Sequence, residues 1–395
     1  MNEFAGYNFL SCYDGKKETI FWKNGIVKGE TYYLDNDKIK ILRQSIPEFD
    51  DAYILFNMGY KVDYDWNRVI THIRKAKPKK LIVFNDDAHT SLDPEYGFSP
   101  NLTHEGIILS DIIAKLRVKD YVIYDCEYNT SIYYDDIPRS KFRYYDIFTQ
   151  TWVGGGFDDY EPQETFDWKV CCTNKKPDIH RLLAVMHLCD DPSFKGTYHD
   201  MPRKPEMVKM ISYTNTHQHY KPPQPTYMML SEEYKNKILE ERFQIFTEAY
   251  LNNELFWDSN DHEKISGEDQ IKTIEITGNS FLTLVAETLW DTRTQFWSEK
   301  TLKPMYMLRP FIILASPGSL SLIRRLGFRT FSQWWDESYD EEIDHGKRFE
   351  KVMKIVDDIR SMSDYDLHHM LIEMKSVLDH NRKHAIEELH KVYLI

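Results

Sequence analysis

Residues 281–330 read FLTLVAETLWDTRTQFWSEKTLKPMYMLRPFIILASPGSLSLIRRLGFRT, and the order of apolar runs and turn residues in them decides the fold class. FLTLVAET is a compact run of apolar and β-branched residues, the pattern of a strand buried on both faces. Ser298 stands where a helix N-cap belongs, with Glu299, Lys300 and Thr301 in the first turn. Arg309-Pro310 closes that helix, and PFIILA is a second buried strand. Ser316-Pro317-Gly318-Ser319 is a turn feeding the amphipathic segment SLSLIRRL, after which GFRT suits a further strand. Strands and helices alternating at this spacing predict an α/β fold, a parallel sheet joined by crossover helices. In such sheets ligands collect at the carboxyl ends of strands, where helices begin.

The residues Ser298, Glu299 and Lys300 have chemistry that suits such a strand end. A helix N-terminus offers N–H groups and a partial positive charge, and a lysine beside it adds a full one. That combination fits a diphosphate. A carboxylate one residue away repels phosphate but accepts hydrogen bonds from ribose hydroxyls. The same residues also make an ordinary capped helix with an i,i+4 pair between Glu299 and Lys303. A second basic junction lies upstream. WKVCCT reads as a strand, Asn174 to Pro177 as a turn, and DIHRLLAVMHLC as a helix with Asp178 at its N-cap. Lys175, Lys176, His180 and Arg181 therefore gather at a strand-to-helix junction, where a guanidinium clamps an anion or a basic turn simply faces water.

The amino-terminal half repeats the strand-then-polar pattern. YNFLSCYDG, DAYILFNMG, KKLIVFNDDAHTS, DYVIYDCEYNTS and KFRYYDIFTQTW carry strand signals, with helical spacing in DWNRVITHIRKA and SDIIAKLR between them. No GxGxxG follows any of these strands, which disfavours a Rossmann dehydrogenase. VGGGFDDYEPQET, residues 153–165, is the natural linker. We therefore expect a Rossmann-like domain over 1–160, a second over 161–345, and carboxyl-terminal helices over 346–395. In those helices Phe349, Val352, Met353, Val356 and Ile359 share one face, and Ser363 or Asp364 begins the last helix. Trp334 and Trp335 are read as packing residues with a solvated acidic run behind them.

Composition narrows the function classes. A chain of 395 residues is long enough for two cores, and its many aromatics with only 16 Gly and 16 Pro argue against disorder. A net charge of −13 excludes a generally nucleic-acid-coating protein, while leaving room for one basic groove. The densest basic run is KAKPKK, residues 75–80, near Arg68 and Arg74. Five cysteines without CxxC spacing suit reduced thiols in a cytoplasmic protein rather than a disulfide frame or zinc site. No metal is expected, since His199, His217 and His219 lack a recognisable further ligand. Neither a signal peptide nor a membrane span is expected from the apolar runs.

The block ET, then F-x-SEK-T-x-KP, RPFI-x-L-x-x-PGSL and LGFRTF, then WWDESYD and VLDHNRKHAIEEL, resembles a group of glycosyltransferase-like proteins of phage and viral genomes. Its SEK segment is similar to the (T/S)EK motif of α-1,3-fucosyltransferases, which have a GT-B fold. The resemblance covers about Phe166 to the end. It implies a GT-B-like α/β fold of two Rossmann-like domains with a terminal helix crossing back onto the first domain. It also implies a nucleotide-diphosphate sugar as donor, with Glu299 on the ribose, Lys300 at the diphosphate and Ser298 among the donor-site residues. In the upstream basic segment Asn174, His180 and Arg181 match the group best and Lys176 more loosely, so these residues join the expected donor site. An inverting transferase needs a base near the acceptor hydroxyl. In GT-B enzymes it comes from the amino-terminal domain, which points to Asp87 and Glu127, then Asp86 and Asp125, each just past an apolar run. The viral flavour makes hydroxymethylated double-stranded DNA a candidate acceptor, with glycans and proteins as competitors. A non-catalytic phage DNA-binding or structural protein of the same fold is the rival from another class.

Overall fold

The structure is a computed structural model. It describes residues 8–12, 19–22, 53–57, 74, 80–85, 109–125, 128–129, 137–144, 165–174, 179–198, 230–236, 242, 245–246, 248, 267–290 and 292–388. The chain divides into two compact units, residues 1–151 with 217–221 and 389–395, and residues 152–216 with 222–388.

The first unit is built on a six-stranded sheet. Its strands are β1 (Asn8–Cys12), β2 (Thr19–Trp22), β3 (Tyr53–Asn57), β4 (Lys80–Asn85), β5 (Asp120–Asp125) and β6 (Phe142–Tyr144), in the order β2-β1-β3-β4-β5-β6. Only β2 runs antiparallel to its neighbour. Leu81, Ile82 and Val83 of β4 and Val122, Ile123 and Tyr124 of β5 are all buried. Consecutive burial is the mark of a strand covered on both faces, which is why these runs are apolar rather than alternating. Helix α1 (Leu109–Leu116) precedes β5, and Arg74 Nε donates to the Lys115 carbonyl in its last turn at 2.6 Å. β2 has no counterpart in the sequence reading. TIFW is four residues long, and its place comes from pairing with β1 rather than from any local period.

The second unit carries a four-stranded, wholly parallel sheet. Its strands are β7 (Trp168–Asn174), β8 (Phe194–Tyr198), β9 (Ser280–Ala286) and β10 (Phe311–Leu314), in the order β10-β9-β7-β8. The helices are α2 (Ile179–Leu188), α3 (Glu232–Asn236), α4 (Gly267–Gly278), α5 (Glu299–Tyr306), α6 (Ser319–Arg325), α7 (His345–Ser361) and α8 (Asp364–Glu388). The expected α/β class, two sheets of mostly parallel strands with crossover helices and a carboxyl-terminal helical segment, is the observed one. Every residue of β9 is buried. The crossovers from β7 to β8 and from β9 to β10 proceed in opposite directions from the β7–β9 pair, and since such connections are right-handed as a rule, α2 and α5 are expected on opposite faces. Helix α7 packs on the α2 face, and α4 and α8 pack against α5.

Helix α4 is another element that the apolar pattern does not announce. Its sequence GEDQIKTIEITG is rich in β-branched residues with poor helix propensity. Burial of Ile274, Ile276 and Thr277 holds it, and Arg309 Nε donates to the Gly278 carbonyl at its end at 2.8 Å. The second guanidinium arm reaches the Thr165 carbonyl at 2.9 Å, so Arg309 fastens α4 to the entry of β7.

Two expectations are corrected. GFRT does not form a strand. The Gly327 and Phe328 N–H groups close α6 on Arg324 O and Ile323 O, and side chains take the backbone that follows: Arg329 N–H donates to Asn381 Oδ1 at 2.8 Å, Asn381 Nδ2 donates to Arg329 O at 2.9 Å, and the N–H of the next residue but one, Phe331, donates to Glu337 Oε1 at 2.6 Å. The acidic run behind Trp334 and Trp335 is not uniformly solvated, because Glu337 and Asp340 are buried. Glu337 accepts from Arg324, Thr330 and Phe331, and Asp340 accepts from the N–H groups of Leu320 and Ser321 at 3.0 and 3.2 Å. A buried carboxylate persists when its oxygens are filled in this way.

The carboxyl-terminal helices form as read. Phe349, Val352, Met353, Val356 and Ile359 are the buried face of α7, and Ser363 Oγ accepts from Asp366 N–H at 3.1 Å to start α8. The segment HNRKH of α8 grips the end of α6. His380 Nε2 donates to Gly327 O at 2.9 Å and His384 Nε2 to Leu326 O at 2.6 Å. Gly327 has φ +92°, and a Cβ there would lie 2.6 Å from His384 Nε2, so glycine is needed for both the turn and the approach. Residues 389–395, the end of the expected terminal helix, lie outside the described residues. Among the described residues no helix is long and apolar enough to cross a membrane.

Asn381 is 1 % exposed and holds both backbone groups of Arg329. Truncating it to Asn381→Ala leaves them unpaired and is expected to cost about 1–3 kcal/mol. A lowered urea midpoint of unfolding measures this, and an unchanged midpoint contradicts it.

Candidate functional site

The strand order creates a topological switch point between β7 and β9, the place where an open α/β sheet leaves a crevice at its carboxyl edge. The residues at these two strand ends are the ones that sequence reading singled out, with one addition. Glu287, directly after β9, is fully buried and accepts three hydrogen bonds from the start of α5. Oε1 takes the Ser298 N–H at 3.0 Å and the Thr301 hydroxyl at 2.6 Å, and Oε2 takes the Ser298 hydroxyl at 2.7 Å. The backbone carbonyl of Glu287 accepts from His180 Nε2 of α2 at 2.9 Å. One residue thus ties both basic junctions to the same strand end. Sequence reading passed over it, although a glutamate closing a run of seven buried residues is itself a signal.

Ser298 is the N-cap of α5, as expected. Its Oγ gives its proton to Glu287 and accepts from Lys300 N–H at 3.3 Å and Lys300 Nζ at 3.1 Å. Lys300 Nζ also reaches Glu299 Oε1 at 3.1 Å, and both side chains are partly exposed. The direct ion pair of Glu299 is therefore with Lys300 rather than with Lys303. Burial pushes the Glu299 carboxyl up, but Lys300 and Lys303 outweigh it and hold it down at about 2. Glu299 is ionised throughout the neutral range and acts as an acceptor only, suited to hydroxyl donors and unsuited to proton transfer. Burial lowers the Lys303 ammonium, Glu299 raises it, and the charge of Lys300 lowers it further. Glu299 is the anion that both lysines act on.

From α2, Arg181 is 3 % exposed and its Nε donates to the Ala286 carbonyl at 3.3 Å. His180 stacks on Trp290 with ring centroids 5.4 Å apart and an 11° interplanar angle. Its ring is thus fixed by packing and by the Glu287 carbonyl, which makes it a positioning residue. Asn174 is the last residue of β7 and is buried, with Nδ2 donating to Cys172 Sγ at 3.2 Å. Asn174, His180, Arg181, Ser298, Glu299 and Lys300 are therefore gathered at neighbouring strand ends. Lys176 lies outside the described residues, as do Lys175 and Asp178.

The other helix start in this region is already occupied. The Asp340 carboxylate sits on the N–H groups of Leu320 and Ser321, and the Gly318 N–H donates to the Asp340 carbonyl at 2.8 Å. The Pro317-Gly318-Ser319 turn is thereby a packed corner rather than an anion seat. Of the four carboxylates considered as a base, Asp125 ends β5 and is 2 % exposed. Asp86, Asp87 and Glu127 lie outside the described residues. Among the described residues no group of three or more His, Cys, Asp or Glu is placed to hold a metal ion.

Glu287→Ala removes the acceptor for Ser298 N–H, Ser298 Oγ and Thr301 Oγ1 at once. It is expected to destabilise the second unit by about 3 kcal/mol or more, since hydrogen bonds to a charged group contribute about 1.5–3 kcal/mol each and are not additive. Glu287→Gln, which keeps an acceptor oxygen, should lose clearly less. Urea unfolding of the two variants side by side measures the difference.

No protein-family model matches the chain, and no curated protein sequence is significantly similar to it. Several solved structures show a slight likeness. BGT of T4 phage, solved with UDP and Mn2+, has 10 % identity and a TM-score of 0.33 over 86 % of this chain and 83 % of that one. A glycosyltransferase from Rickettsia africae has 9 % identity and a TM-score of 0.33 over 89 % and 93 %. A mutant of TarM from S. aureus, solved with Fondaparinux, alpha-GlcNAc-glycerol and UDP, has 10 % identity and a TM-score of 0.29 over 81 % and 58 %. Likeness at this level adds nothing to what the geometry of the site supports.

Proposed function

We propose that the second unit binds a nucleotide-diphosphate sugar and that the chain is a glycosyltransferase. The observation that carries this reading is the meeting of two basic strand-to-helix junctions at the β7–β9 switch point, joined through Glu287. Lys300 and Arg181 supply cationic donors for the diphosphate, and Ser298 orients Lys300. Glu299, held ionised, accepts from the ribose hydroxyls. The resemblance of the SEK segment to the fucosyltransferase motif supports the same division of roles. We place the general base among Asp86, Asp87, Asp125 and Glu127 of the first unit. There it would take the proton of the acceptor hydroxyl as that oxygen attacks the anomeric carbon and the nucleotide diphosphate leaves. The donor site as read uses protein cations for the leaving group, and no metal is part of the proposal.

Calorimetric titration with UDP, GDP, CDP and ADP tests the donor site. Binding of at least one is expected, and binding of none well above micromolar protein concentration overturns the reading. Lys300→Ala is the cleaner variant, because Lys300 is partly exposed whereas Arg181 is buried against the Ala286 carbonyl. It should weaken the preferred diphosphate by about 1.5–3 kcal/mol, the range for hydrogen bonds to charged groups. Unchanged affinity would remove Lys300 from the site.

For the acceptor we propose hydroxymethylated duplex DNA, with a glycan or protein hydroxyl as the competing outcome. The supporting features are the phage character of the resemblance and the basic run at residues 75–80, set against a net charge of −13. Duplex binding should then weaken steeply with salt, because phosphate contacts release counterions. Incubation with donor should add sugar mass to hydroxymethylcytosine nucleosides and none to cytosine, read by mass spectrometry after digestion. Transfer to a glycan with none to DNA overturns the DNA acceptor.

A further inference from the structure

Asn174 closes β7 with its side chain buried and half of its amide unused. Nδ2 donates to Cys172 Sγ at 3.2 Å, and Oδ1 has no hydrogen-bond partner among the described residues. Burial pushes the Cys172 thiol up to about 12, so the sulfur stays a neutral partner and does not draw the amide into a stronger bond. A buried carbonyl oxygen left without a donor is unfavourable and rare, and asks for an explanation. The parallel register that sets Cys171 opposite Thr283 puts Asn174 level with Ala286. The Ala286 carbonyl receives Arg181 Nε, and the next residue, Glu287, anchors the start of α5. The unsatisfied oxygen therefore belongs to the same strand ends as the candidate diphosphate ligands.

Its chemistry separates it from them. Oδ1 can only accept, and a diphosphate near neutral pH offers acceptors almost exclusively, so the two have nothing to exchange. The oxygen requires an O–H or N–H. The proposed ribose ligand, Glu299, opens α5, which packs over β9 and β10. Asn174 stands on β7, on the other side of β9 from β10. A nucleotide-sugar is a linear sequence of nucleoside, diphosphate and sugar. With the nucleoside at α5 and the diphosphate across the end of β9, the next group falls at the end of β7. Resting on the donor-site reading above, we infer that Asn174 Oδ1 accepts a hydrogen bond from a hydroxyl of the transferred sugar. Asn174 is thus a residue that selects the sugar, not one that holds the phosphates.

The test compares UDP with UDP-glucose, GDP with GDP-mannose, CDP with CDP-glucose and ADP with ADP-glucose, on the full chain and on Asn174→Ala by calorimetry. For the pair that binds, the variant should lose about five- to tenfold in affinity for the sugar nucleotide, the size of one hydrogen bond, and keep its affinity for the free diphosphate. Monodeoxy analogues of the sugar give a second arm that needs no variant. On the parent protein one of them should bind about as weakly as the full sugar nucleotide binds Asn174→Ala, and the variant should not distinguish it from the full donor. Equal loss for diphosphate and sugar nucleotide overturns the inference, as does no loss for either, or a parent protein indifferent to every deoxy position. If none of the four pairs binds the parent protein, the donor-site reading fails and this inference falls with it. In the other negative outcomes the donor site stands and only the role of Asn174 is lost.

Discussion

The buried carboxylate of Glu287 is the interaction on which the second unit depends. It lies at the carboxyl end of a strand with no exposed residue, where an unpaired charge could not be sustained. Three donors from α5 fill its oxygens, and its own carbonyl takes the ring of His180. The helix N-terminus supplies a favourable field for the negative charge. In return the carboxylate fixes the Ser298 hydroxyl as a donor to itself, which leaves the serine oxygen as an acceptor for Lys300. The direction of one proton thus sets the position of the ammonium two residues on. A side chain without an acceptor at position 287 would leave that hydroxyl free to turn.

The segment between β9 and α5 shows how a connection can be rigid without regular structure. Thr292, Thr294, Gln295, Phe296, Trp297 and Ser298 are all buried, which is unusual for a loop because its backbone groups must find partners. They find them in side chains. Thr292 Oγ1 donates to Thr294 O at 3.0 Å, and Gln295 Nε2 donates to Arg293 O at 3.2 Å and, beyond the loop, to Pro317 O at 2.7 Å. Trp290 is the pivot: His180 stacks on it, and the Arg348 guanidinium lies 4.2 Å from its ring centroid and donates to its carbonyl. This packing carries α2 and α7 to the same loop. It sets the partly exposed Glu299 and Lys300 on a rigid scaffold, which would keep the entropy lost in binding the proposed donor small.

Buried polar side chains do similar work elsewhere in the unit. Arg309 closes α4, Asn381 replaces a strand partner for Arg329, and Asp340 sits at the start of α6. Each spans a long separation in sequence and satisfies backbone groups that no neighbouring strand or helix turn could reach. The stretch from Arg309 to Asn381 thus contains a set of such fasteners. Before it, the Ser298-Glu299-Lys300 turn differs in keeping two charged side chains, those of Glu299 and Lys300, partly exposed.

Several features were legible in the sequence because they rest on local physics. Apolar runs bounded by turn residues marked β4, β5, β7, β9 and β10, and the 3.6-residue period marked α7 and α8. The cap at Ser298 followed from a hydroxyl placed before a helical turn, and the basic character of both junctions from side chains adjacent to strand ends. Tertiary structure alone decided the rest. β2 and α4 exist because a partner surface covers them, against weak or absent local preference. GFRT lost its strand to Asn381 because side-chain amides outcompeted an absent neighbour strand. Glu337 and Asp340 looked solvated because charge implies exposure until a set of donors is folded around it. That the two basic junctions meet depends on the order β10-β9-β7-β8, a long-range pairing that no local window contains. Sequence therefore determined which groups this protein has to offer, and the strand order determined that they stand together.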